Sequence, residues 1–125
     1  MTSLQAPGIG MAIILGAILF FGNLMAIYAV RAAIDGRITP HTMAGIRTNA
    51  TRANAETWEV AHRAARPWAF TLNGLGAVAA LGVMALGSTV GPFLTAASCS
   101  VVFTLAGAIS QLIVGHRAAA RVLGR

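Results

Sequence analysis

Three runs of the chain contain no charged residue: residues 9–30 (IGMAIILGAILFFGNLMAIYAV), 68–90 (WAFTLNGLGAVAALGVMALGSTV) and 93–115 (FLTAASCSVVFTLAGAISQLIVG). In none of them do apolar positions alternate or keep to one stripe. They are apolar on every side, as a helix surrounded by lipid must be. At about 1.5 Å rise per residue, runs of this length cross a hydrocarbon core of roughly 30 Å. Backbone polar groups in lipid must pair within their own segment, which leaves the helix as the form of each run. The pattern predicts an all-α membrane protein with a single domain over 1–125 and spans at 9–30, 68–90 and 93–115. A polar segment at about 31–66 separates spans one and two.

That polar segment carries the other periodicity. From Ala50 to Arg66, at about 100° per residue, three faces emerge. Ala50, Ala53, Thr57, Val60 and Ala64 form a small, weakly apolar stripe. Arg52, Glu56, Glu59, Arg63 and Arg66 form a charged face, with Arg52/Glu56 and Glu59/Arg63 at the i,i+4 spacing that pairs opposite charges. Thr51, Asn54, Trp58 and His62 form a third face, which is neither a good core nor an ordinary solvent surface. The prediction is a cytoplasmic amphipathic helix between spans one and two, capped by Thr48 or Asn49. Two readings of the third face stay open: interfacial anchoring by Trp58, or a recognition face that lines a pocket.

Composition agrees with the spans. Hydrophobic residues make up 57% of the 125 and charged residues 10%, far below the quarter or so usual in soluble domains. The net charge is +6 and every basic residue is Arg. Such basicity in a soluble chain would suggest nucleic acid, but here topology accounts for it. Arg31, Arg37, Arg47, Arg52, Arg63 and Arg66 lie between spans one and two, and Arg117, Arg121 and Arg125 follow span three. The leader MTSLQAPG and the link between spans two and three have none. By the positive-inside rule the N-terminus lies outside and the C-terminus in the cytoplasm of a bacterial cell, in a multi-pass cell-membrane protein. A leader without Lys or Arg, before so long an apolar run, reads as an uncleaved anchor rather than a signal peptide. Pro67 and Pro92 fall at the expected starts of spans two and three, where proline is tolerated. Tyr28 and Trp68 fall at the expected interface. The single Cys99 reads as a buried small hydrophobe.

The stretch ITPHTMAGIRTNATRANAETWEVAHRAARP resembles the SdpI family of small bacterial membrane proteins. The family signature is Gly-Ile-Arg-Thr, a Thr three residues on, then Trp, then His-Arg. Gly45, Ile46, Arg47, Thr48, Thr51, Trp58, His62 and Arg63 stand in those places. The resemblance covers about thirty residues, and the span layout around it agrees. It implies immunity to a secreted killing peptide and signalling through a cytoplasmic repressor held at the membrane. The chain is shorter than the longer members, so what it carries is the shared module. The binding residues that follow are Arg47, Thr48, Thr51, Asn54, Trp58, His62 and Arg63.

Each span also holds one amide: Asn23, Asn73 and Gln111. Counted from the nearest Arg at about 1.5 Å per residue, all three lie roughly 9 to 12 Å inside the same boundary. They are either hydrogen-bonding glue between helices or the floor of a polar pocket under the 45–63 segment. Catalytic chemistry is not in sight. Glu59 and His62 have the Glu-x-x-His spacing of carboxylate metal sites, but one such pair supplies two ligands at most, and His41 and His116 lie far off in sequence. No phosphate loop or nucleophile elbow occurs. The reading is therefore no enzyme, no metal, no cofactor and no nucleic acid. The expected partners are a bilayer with anionic lipids, a toxin peptide or cytoplasmic regulator, and further copies of the chain or a larger membrane complex. A binding and signalling protein is set beside two alternatives, an accessory subunit of a larger complex and a small oligomeric transporter. The transporter lacks support, because the outer halves of the spans offer hydroxyls and no charge.

Overall fold

The computed structural model describes residues 3–124 and is all-helical over them. Helix α1 runs Ile9–Ile34, α2 Ala55–Trp68, α3 Gly74–Ala85 and α4 Gly91–Val122. A π turn over Ala69–Asn73 joins α2 to α3 without a break, so the two form one rod from Ala55 to Ala85. Three helices are thus long and apolar enough to cross a membrane. The chain is an integral membrane protein by this layout, and its surface agrees. Only 17% of the most apolar window is buried in α1 and in α4. Ile14, Ile18, Phe21, Met25, Val102, Leu105 and Ile109 all point outward.

What is buried is mostly small or polar. Along α4 the inward residues are Phe93, Ser100 and Gly107, one heptad apart, then Gln111, Gly115 and Ala119 at every fourth position. Gly16 of α1 packs so closely on α3 that an added Cβ would sit 2.9 Å from the Ala80 carbonyl. Close backbone approach through small residues is how helices pack where lipid removes the hydrophobic drive between them. α1 and α4 both lie along α3 and barely touch each other. At one end the chain before α1 hydrogen-bonds to the α3–α4 link, Gly8 N–H to Gly87 O at 2.9 Å. At the other end Ala50, Ala61 and Ala119 bring together the 35–54 loop, α2 and the C-terminal part of α4. That end carries the arginines.

Several expectations change. The polar helix is not a separate element between two spans but the first half of the second rod, and it starts at Ala55 rather than Ala50. The cap is Asn54, not Thr48 or Asn49. Its Oδ1 accepts the Thr57 N–H at 2.9 Å, and Thr57 Oγ1 accepts the Asn54 N–H at 3.0 Å. The chain does make one helical turn earlier, with Arg52 N–H donating to Thr48 O. That turn cannot propagate, because the Thr48, Thr51 and Asn54 side chains compete for the backbone groups a helix would use. Pro67 lies inside the rod rather than at its start. It removes one hydrogen-bond donor, and the helix re-registers through the wider π turn that follows. Pro92 stands in the first turn of α4, as expected. Cys99 is exposed on the outer face of α4 instead of buried.

Candidate functional site

The GIRT stretch is not helical; it folds back over α2. Gly45 has φ +95°, a conformation that glycine alone adopts without strain, and a Cβ there would meet the Trp58 ring at 2.7 Å and His62 Nε2 at 3.0 Å. The absence of a side chain lets the loop lie directly on those two rings, whose centroids are 4.3 Å apart. The next residue is pinned: Ile46 N–H donates to His62 Nε2 at 2.9 Å. Ile46 O accepts from Thr51 Oγ1 at 2.7 Å, and its side chain rests over Gly115 of α4. Thr48 and Thr51 exchange hydrogen bonds, each backbone N–H donating to the other's hydroxyl. Thr48 Oγ1 also meets His116 Nδ1 on α4 at 2.8 Å. The Trp58 indole N–H donates to Ile38 O at 2.9 Å.

Thr51, Trp58 and His62 are therefore not a surface at all. Thr51 and His62 are 0% exposed and Trp58 3%. The third face of the wheel is a polar core, and the expectation that Trp58 anchors the segment at the interface is overturned by its burial under Gly45. The buried side of α2 is Thr57, Trp58, Ala61, His62 and Ala65. It falls between the predicted apolar stripe and the predicted third face, and Ala53 of that stripe is exposed. Asn54 is exposed and occupied as the cap. Arg63 is exposed, its guanidinium bonded to Glu59 at 2.9 Å. Arg47 is half-buried and, among the described residues, donates to the Pro40 carbonyl alone, at 3.3 Å.

The imidazole of His62 has its role fixed by its neighbours. Nδ1 lies 2.7 Å from Trp58 O, an acceptor only, so Nδ1 carries the proton and Nε2 is the acceptor for Ile46. A second proton would set N–H against N–H. His62 belongs to the arginine-flanked half of the rod, before the apolar run that begins at Trp68, and burial lowers its pKa below the ordinary 6.5. The unfolded chain then binds the extra proton first, so stability is complete above pH 6.5 and declines as pH falls below it. Thermal unfolding in detergent, followed by tryptophan fluorescence between pH 8 and about 5, should show a flat upper limb and a fall on the acid side. His62→Gln should remove the slope.

Below the loop the three amides meet. Asn23 Nδ2 donates to Leu19 O and to Thr104 Oγ1, both at 2.8 Å. Asn73 Nδ2 donates to Asn23 Oδ1 at 2.9 Å, and Gln111 Nε2 to Asn73 Oδ1 at 2.7 Å. Glycines make the room: a Cβ at Gly76 would strike the Asn23 amide, and one at Gly107 the Asn73 amide. Where α1 and α4 stand apart, a groove of about 420 Å³ opens sideways. Its walls are Gly22, Ala26, Ala29, Ala108 and Leu112, its floor Asn73, Thr104 and Gln111, and its roof Gly45, Ile46 and Arg47. Among the described residues no group of His, Cys, Asp and Glu is placed to hold a metal ion. The groove itself was visible in sequence only as a coincidence of depth among three amides.

The class these features define is a multi-pass helical membrane protein with a stapled loop over an amide-floored, largely apolar groove. The SdpI/YfhL protein family model matches residues 37–116, from the loop through α4, and the chain belongs to that family. No curated relative and no solved structure matches it.

Proposed function

We propose that the protein is a binding protein of the immunity and signalling kind that takes its ligand from the plane of the bilayer into the groove between α1 and α4. The observation that supports this reading is the groove's lateral opening between a floor that includes the linked amides of Asn73 and Gln111 and a cationic roof at Arg47. Glue between helices needs no opening, and an apolar lipid contact needs no amides. Gly45, Ile46 and Arg47 of the 35–54 loop line the same groove, so an occupant touches Ile46 and Arg47 directly and can alter the face presented beyond them. That face, with Arg52, Glu56 and Arg63 exposed, is the surface for anionic headgroups or a cytoplasmic regulator. The orientation we propose puts the arginine end in the cytoplasm of a bacterial cell, since every described arginine gathers there and the opposite end has none.

One experiment tests both parts. A photo-crosslinking residue replaces Ala108, on the groove wall, or Val102, on the outer face, in cells challenged with amphipathic membrane-active peptides. Peptide adducts are expected at Ala108 and not at Val102. Lipid adducts alone at both sites overturn the reading. In the same cells, with Cys99 changed to Ala, a cysteine at Ser88 should react with an impermeant thiol reagent added outside. A protected site there reverses the orientation.

A further inference from the structure

The amide chain has a direction, and one backbone atom sets it. Leu19 O can only accept, so Asn23 must turn its NH₂ toward it. That leaves Asn23 Oδ1 facing Asn73, which must therefore present its own NH₂. Asn73 Oδ1 then faces Gln111, which must do the same. The remaining end of the chain is Gln111 Oε1. No described group donates to it, yet no buried side-chain oxygen is left without a partner, so this atom is open to the groove that Gln111 lines. Donating through its own amide makes such a carbonyl a better acceptor. The roof is the opposite in kind. Arg47 forms no ion pair among the described residues, and its one bond to a carbonyl is long. The groove thus offers a free cation at its roof and a free acceptor at its floor.

Resting on the functional reading above, we infer that Arg47 and Gln111 form a two-point site for a peptide carboxylate and the N–H beside it. A peptide end in extended form carries both groups within a few ångströms. An inner-leaflet phospholipid fits worse. With its phosphate at Arg47 its ester carbonyls come next, and these are acceptors set against the acceptor of Gln111. Its acyl chains hold no donor. The small-residue walls admit a narrow chain.

The first arm of the test uses the unaltered protein. The purified protein is titrated with acetyl-Leu-Leu-Leu as free acid, as C-terminal amide, and as free acid N-methylated at the last peptide nitrogen, with a labelled free acid displaced in an anisotropy assay. The free acid should bind about tenfold more tightly than either analogue, the scale of one charge-assisted or one buried hydrogen bond. Short-chain phosphatidylglycerol should compete less well than the free acid. In Arg47→Gln the acid–amide difference should vanish while the N-methyl penalty stays, and Gln111→Met should do the reverse. Equal binding of the three peptides, binding of none, or equal competition by phosphatidylglycerol overturns the inference. Peptide adducts at Ala108 without discrimination among these probes would sink this site and leave the functional reading standing. The absence of peptide adducts there sinks the functional reading itself.

Discussion

Replacing Gly45 with valine is expected to detach the loop from α2 and lower stability by about 3 kcal/mol, the sum of a left-handed backbone penalty and an overpacked contact. Both terms come from one position. At φ +95° a β-branched residue is a conformational outlier, and its Cβ would fall 2.7 Å from the Trp58 ring, which has nowhere to go under the loop. Losing the contact also loses the His62 bond to Ile46 and bares the indole. Gly36 supplies the control. Its φ is +82°, but nothing lies within 4 Å of where a Cβ would be, so Gly36→Val pays only the backbone term, roughly 1–2 kcal/mol. Thermal unfolding in detergent, with tryptophan emission as the reporter of Trp58 burial, should rank Gly45→Val well below Gly36→Val. Equal losses would mean that the packing of Gly45 on the rings contributes nothing.

Asn73→Leu should be the most damaging of the amide substitutions. Asn73 is the middle of the chain, and removing it leaves Asn23 Oδ1 and Gln111 Nε2 both unpaired. Each stranded group costs about 1–3 kcal/mol where water cannot reach it, although the net worth of one such bond between membrane helices averages about 0.6. Gln111→Leu strands only Asn73 Oδ1 and should cost least, because its own oxygen had no partner in the chain. The sharper check is the double variant. Once Asn73 is Leu, changing Gln111 to Leu removes an orphan donor, so the second substitution should be nearly free or stabilising. Additive losses in the melting curves would show that the amides act independently and that no chain exists.

The spans were legible because charge-free runs of that length have few other uses. The amide depth was legible for the same reason, since counting residues along a helix measures distance. The loop was less so. A wheel assumes a helix, and Thr48, Thr51 and Asn54 turn their side chains onto the backbone and stop it forming until Ala55. That shifted the inward side of α2 and made Trp58 and His62 look like surface. Two signals pointed the other way. Asn54 followed three residues on by Thr57 is a capping box, and a glycine opening the GIRT stretch is the residue expected where a backbone lies flat on a ring. Pro67 read as a beginning because proline suits the first turn of a helix. A π turn that absorbs it leaves no mark in a hydropathy pattern.

The π turn has one more consequence. A helix that takes in an extra residue without adding a turn sets everything beyond it back by about 100° relative to a plain α-helix of the same residues. The His62 side of α2 and the Asn73 side of α3 are therefore held in phase by a single surplus residue within Ala69–Asn73. Excising one residue there would let the rod close to a plain α-helix with the two sides still in phase, whereas straightening the turn with all its residues kept would swing the loop's seat away from the groove by about 100°. Length variation in this protein is thus unequally tolerated. Between the histidine and the asparagine, loss of that one residue keeps the two sides in phase, and loss of a second turns them about 100° apart.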